Sequence, residues 1–229
     1  MKNKSLIIVS ILFMGIGSIF YIQNSKTESN KSKVEIIDHY DFKKDSILYS
    51  DYLKQVKNQK SNFTNISEAK NFLFEIYNKN IPEYWIGTKW NFNGTTRIPN
   101  KGTIACGYFV TNTLSDVDFK IERVKLAQEV SSKMINQLCV NIKRFGDFSK
   151  LKDYINNQPD QSVFIIGLDF HTGFVLKSGN KIYFLHSNYI DNEGVIKEEI
   201  DNSIALRSTK TFMIGNLTEN EELISEWIK

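Results

Sequence analysis

Three side chains in this sequence can together perform nucleophilic chemistry. Cys106 lies in "GTIACGYFV" (102–110), where a loop of small residues runs into an apolar helical stretch. A thiol attacks as its thiolate, and the partial positive charge and free N–H groups of a helix start favour that form. Ala105 and Gly107 leave room for a substrate carbonyl to approach. The same residue types also describe a small hydrophobe packed in a core. The histidines shift the balance. His171 in "GLDFHTGFVL" and His186 in "IYFLHSNY" flank a predicted hairpin, while His39 lies near the N-terminus and reads as a surface residue. Pairing the flanking strands about residues 177–180 places the two imidazoles opposite each other. One cysteine and two adjacent histidines supply a nucleophile, a general base and a group that orients the base. A structural histidine pair, or half a zinc site completed by Cys106, is the other reading, but no Cys/His spacing of a structural zinc site occurs. No metal and no cofactor is expected.

The elements that must position these groups follow from hydrophobic periodicity. "SEAKNFLFEIYNKN" (67–80) reads as a helix capped by Ser67, with Phe72, Leu73, Ile76 and Tyr77 on one face. A loop containing Gly and Trp covers 81–104, and a short helix begins near Cys106. Helices are expected over 122–138 and 148–157, with Cys139 a buried free thiol inside "KMINQLCVNI". Beyond Pro159 the character changes. "SVFIIGL", "GFVL" and "KIYFLHS" are short β-branched and aromatic runs, "KSGN" reads as a hairpin turn, and further strands are expected near 195–200 and 211–215. "TENEELISEWI" closes as a helix with Thr218 and Glu221 as a capping box. Helices first and an antiparallel sheet second make an α+β fold. "DNEGVIKEE" (191–199) lacks the ligand spacing of a calcium loop and reads as a turn between strands.

Composition narrows the function classes. The 229 residues suffice for one packed domain without a disulfide staple, and the two cysteines alone are weak evidence for one. A net charge of +3, with the basic residues scattered, speaks against nucleic-acid binding. Oligomerisation leaves no signal, and the chain is taken as a monomer. At the N-terminus, Lys2 and Lys4 precede the uncharged run "SLIIVSILFMGIGSIFYI". As a helix it rises roughly 27 Å, close to a hydrocarbon core. Residues 1–22 therefore read as an uncleaved membrane anchor or a signal peptide, with Ile19, Phe20, Tyr21 and Ile22 favouring the anchor. Residues 23–65 read as a polar tether and lead-in, and 66–229 as the catalytic domain. The domain is expected outside the cytoplasm, in the periplasm or at the cell surface, tethered to the inner membrane.

Four blocks carry a family resemblance: "GTKWNFNG" (87–94), "IACGYFV" (104–110), "HTGFVL" (171–176) and "FLHSNY" (184–189). In this order they resemble the NlpC-type cell-wall peptidases, papain-like cysteine hydrolases of bacterial peptidoglycan, across roughly 84–190. The resemblance implies a papain-like fold, peptidoglycan peptides as partner and an amide bond as target. It implies Cys106 as nucleophile, His171 as base and His186 as the residue orienting His171. Trp90 falls where the family presents a tyrosine to the oxyanion region. The family commonly has Asp before the cysteine and Ser after it, to hold a free amine. Ala105 and Gly107 stand there in this chain, with Asp169 as a possible replacement acid. The insert "TTRIPNKG" is expected to bring Arg97 and Lys101 towards the cleft to meet a substrate carboxylate, or to be a solvated loop. The other readings are a thiol amidase or acyltransferase on a different substrate, a non-catalytic cell-wall binding module, and a tethered interaction protein.

Overall fold

The computed structural model describes residues 48–229, and the expected anchor and most of the tether lie outside the described residues. Among the described residues no helix is long and apolar enough to cross a membrane. The fold is α+β, with most helices preceding an antiparallel sheet. Helix α1 (Tyr49–Lys60) buries Tyr52 and Val56, so part of the expected lead-in belongs to the folded core. Helix α2 (Ile66–Glu75) is capped by Asn65, whose side chain accepts from the Ser67 N–H; the cap is not Ser67 itself. The helical path continues through a π-turn at Ile76–Asn80 into α3 (Ile81–Trp85), where a loop was expected. Tyr77, Ile81 and Trp85 are fully buried, and that burial extends the helix past its polar "NKN".

Two-residue strands β1 (Lys89–Trp90) and β2 (Thr103–Ile104) pair in parallel immediately before α4 (Cys106–Asp116). The helix expected over 122–138 is two helices, α5 (Arg123–Gln128) and α6 (Ser131–Leu138), separated by extended Glu129 and Val130. The break lets Leu126 pack beside α4 while Met134, Ile135 and Leu138 turn onto the sheet. Cys139 is extended, and the segment after it forms strand β3 (Val140–Phe145) where helix was expected. Helix α7 (Phe148–Asn156) follows, capped by Asp147.

The remaining strands are β4 (Ser162–Gly167), β5 (Thr172–Ser178), β6 (Lys181–Asn188), β7 (Gly194–Glu199) and β8 (Phe212–Asn216). With β3 they form one antiparallel sheet in the order β3-β8-β4-β5-β6-β7. Both faces are covered. Val163, Ile165, Phe174 and Leu185 face the core built with α1–α4, α6 and the C-terminal helix α9 (Glu221–Trp227). Phe164, Ile166, Val175 and Phe184 face Leu151 and Ile155 of α7 and the short helix α8 (Ile204–Ser208). Burial on both sides explains why "SVFIIG" is a continuous apolar run rather than an alternating one. Helix α9 is capped by Asn220; Thr218 instead accepts the Val163 N–H and donates to Asn216, so the expected capping box does not form.

The β5–β6 hairpin has a two-residue turn at Gly179–Asn180, with Ser178 paired to Lys181. This register is shifted by two residues from the one expected. Side chains alternate with period two, so the shift keeps His171 and His186 on one face while making them diagonal neighbours. One residue beyond the last paired position, Phe174 with Leu185, the chain opposes Gly173 to His186. A Cβ on Gly173 would lie 2.7 Å from His186 Cβ and 2.7 Å from the Phe184 ring. The glycine of "HTG" is thus required by close approach of a buried imidazole. Gly173→Ala is expected to destabilise the fold by about 3 kcal/mol, the upper range of overpacking. Urea denaturation measures it; a loss below about 0.5 kcal/mol would show that the hairpin relaxes freely.

Candidate active site

Three local devices bring the Cys106 turn to the histidine strands. Ile104 pairs with Trp90, and the Ala105 N–H donates to Gly94 O at 2.9 Å. The buried Ser187 hydroxyl, next to His186 in the chain, donates to Ile104 O at 2.8 Å. The Trp90 loop is fastened to β7 by Val195 N–H to Thr88 O (2.8 Å) and Gly87 N–H to Val195 O (3.0 Å). Gly194 permits that approach: its φ is +97°, and a Cβ there would stand 2.1 Å from Thr88 O. Cys106 is then the first residue of α4, as expected, and it lines a cleft of about 660 Å³ together with His171 and Trp90.

The histidines form a directed chain. His171 Nε2 lies 2.8 Å from His186 Nδ1, and His186 Nε2 lies 3.1 Å from Glu198 Oε1. Burial raises the Glu198 carboxyl, but hydrogen bonds from His186 and Ser203 outweigh it and hold the group below its ordinary value. Glu198 is therefore a carboxylate and can only accept. His186 must carry its proton on Nε2, which leaves Nδ1 as acceptor. His171 must then donate from Nε2, which leaves its Nδ1 lone pair free. That Nδ1 atom is buried, has no hydrogen-bond partner among the described residues, and belongs to a residue lining the Cys106 cleft. Phe184 stacks on His186 with centroids 3.9 Å apart and meets His171 edge-on at 5.9 Å, fixing both rings.

Burial holds His171 well below the ordinary imidazole value, and the neighbouring His186 adds in the same direction. Burial also lowers His186, against the pull of Glu198. The Cys106 thiol is pushed up by burial; N–H groups of Thr172, Gly107 and Cys106 itself pull it back only in part. The expectation of a thiol acidified by the helix start is thus corrected. Burial outweighs those N–H groups, so near neutral pH the thiol keeps its proton and the imidazole stays uncharged. The chemistry open to a neutral pair of this kind is general-base transfer of the thiol proton, not attack by a preformed thiolate. Cys139 is buried with its thiol pushed up to about 12, and both cysteines are free.

The other expected site residues divide. Trp90 lines the cleft, and its indole N–H is buried without a partner among the described residues. Gly107 lines the cleft, and its missing side chain lets Ala127 O approach to 2.5 Å of where a Cβ would stand. Asp169 sits at the edge of a smaller depression beside Cys106, but its carboxylate is engaged by Thr211 and by the Lys210 N–H at 2.8 Å. It anchors the loop before β8. Arg97 and Lys101 do not line the Cys106 cleft. They lie on a separate depression beside α1, where Arg97 is ion-paired with the buried Asp116 carboxylate. A buried carboxylate recruits the guanidinium away from the cleft. Glu198 escaped the sequence reading because the end of "DNEGVIKEE", though expected as strand from 195, was assigned no partner strand. Its last residues are β7, whose Glu198 pairs with Phe184, one step along the same face from His186. Extending the strand alternation from His186 across to that segment would have found it.

No protein-family model matches the chain, and neither curated proteins nor solved structures give a match. Among the described residues no group of three or more His, Cys, Asp or Glu is arranged to hold a metal ion.

Proposed function

We propose that this protein is a papain-like cysteine hydrolase that cleaves an amide bond in peptidoglycan peptides outside the cytoplasm. The observation that carries the reading is the free, buried Nδ1 of His171 in the cleft of Cys106, with its tautomer dictated by His186 and Glu198. Cys106 Sγ attacks the carbonyl carbon while its proton passes to His171 Nδ1. The Cys106 N–H and the Trp90 indole N–H stabilise the oxyanion. The proton then goes from His171 to the leaving amine, and water, deprotonated by His171, releases the acid and restores the thiol.

The four sequence blocks resembling NlpC-type peptidases support peptidoglycan as the substrate. Ala105, where the family has an acid, removes a charge-assisted contact worth about 1.5–3 kcal/mol. Its loss erases roughly a ten- to hundredfold preference for stem peptides with a free amine. Intact sugar-linked stems and stem peptides with a free α-amine are therefore expected to be cleaved with kcat/KM values within about tenfold, with Cys106→Ala as blank. A hundredfold or greater preference for the free amine would overturn this account of the pocket. The second reading is a thiol amidase or acyltransferase on another substrate, favoured by the absence of any charged side chain from the cleft lining. Turnover of neither stem by protein whose Cys106 is readily alkylated would select it.

A further inference from the structure

The two flanks of Cys106 differ in polarity. The Trp90 side carries the aromatic rings of Trp90, Phe92, Tyr108 and Tyr189 and no charged residue, and Phe170 borders both flanks. Two of them, Phe92 and Phe170, are 79% and 96% exposed, the two most exposed large apolar side chains among the described residues. Phenyl rings left in water at the mouth of a cleft gain by burial against an apolar ligand. Arg123, which lies 5.9 Å from the centroid of the Tyr108 ring, does not line the cleft and donates to Asn112 at 2.5 Å. Across Cys106, a depression of about 220 Å³ carries Glu129 and Asp169. A charged substituent placed on the Trp90 side would lose hydration and meet no counter-charge, whereas an apolar one would not. The free Nδ1 of His171 and the free indole N–H of Trp90 supply the few convergent polar atoms of a site built for a ligand.

We propose that the substituent seated on the Trp90 side of Cys106 is an uncharged aromatic or branched aliphatic group in contact with the Phe92 and Phe170 rings. Any charged part of the substrate lies on the other flank. The inference rests on the reading of Cys106 as the nucleophile and goes with the second reading above, a thiol amidase or acyltransferase on another substrate, since peptidoglycan stems carry no aromatic or branched aliphatic residue.

The test uses three chloroacetamides on the intact protein: N-phenethyl, N-(2-carboxyethyl) and N-(2-aminoethyl). In each the Cys106 sulfur displaces chloride to form a thioether, and the thiol proton is lost. Labelling rates are mapped to Cys106 and Cys139 by peptide mass spectrometry, each normalised to the reagent's rate with N-acetylcysteine. The phenethyl reagent is expected to label Cys106 at least tenfold faster than either charged one, and saturably. In the Phe92→Ala/Phe170→Ala variant, which alters only exposed rings, the preference is expected to fall below threefold. Equal normalised rates at Cys106, with Cys106 still labelled far ahead of Cys139, would overturn the proposal while leaving the nucleophile standing. So would a preference that survives the double variant. Failure of every reagent to favour Cys106 over Cys139 would overturn both readings.

Discussion

His171→Ala is expected to lower kcat/KM for amide cleavage by about 10²–10⁴-fold, the range for removing a positioned general base. Cys106→Ala should leave no turnover above the uncatalysed rate. Both substitutions remove side chains that line a cleft, so loss of activity should occur in folded protein, checked by near-UV circular dichroism. The resting pair is neutral, and this fixes the pH dependence. Catalysis needs His171 unprotonated, and burial holds its value well below the ordinary 6.5. Turnover should therefore persist as pH falls through 6.5 and decline only well below it. On the alkaline side the thiol, raised by burial, keeps its proton past its ordinary value. The general-base pair thus survives into mildly alkaline solution. A kcat/KM profile that is half-lost near pH 6.5 would show that His171 is not the desolvated base described here. Full activity in His171→Ala would remove it from the mechanism.

Glu198→Leu is expected to lower kcat/KM by about a hundredfold, equivalent to about 2.7 kcal/mol at 1.36 kcal/mol per decade. Without the carboxylate, nothing holds the His186 proton on Nε2. His186 can move it to Nδ1, where it faces His171 Nε2 and drives the His171 proton onto Nδ1. Nδ1 is the atom that must accept from Cys106. The leucine also leaves a buried imidazole N–H unpaired, at a cost of about 1–3 kcal/mol in stability. A purely structural role would produce that second effect alone. Two readouts separate them. Proton–nitrogen NMR correlations of the imidazoles should show Nε2–H on both histidines in the parent protein and a mixture in the variant. Glu198→Asp, which keeps an acceptor, should recover part of the activity. A variant that is less stable but keeps both Nε2–H tautomers and full kcat would reduce Glu198 to packing.

The sequence alone determined the α+β order, because helical periodicity before Pro159 and β-branched runs after it are local signals that packing had no reason to override. It also marked the start of α4 at Cys106 and the common face of the two histidines. A period-two pattern survives even a two-residue register error, and the observed register is shifted by two. What it misplaced depended on contacts between distant segments. The helix runs on past Asn80 to Trp85, where a loop was expected, because Tyr77, Ile81 and Trp85 are buried in the core. The stretch after Cys139 becomes β3 because Phe212–Asn216 offers it a strand to pair with. Arg97 turns from the cleft because Asp116 is buried beside it. The protonation logic was also decided in three dimensions. The helix start beside Cys106 was legible, but its effect on the thiol is outweighed by desolvation, which is a property of everything packed around the sulfur. Glu198 acquires its role only when β7 pairs with β6, since the alternation along each strand fixes its faces but not which strand it will meet.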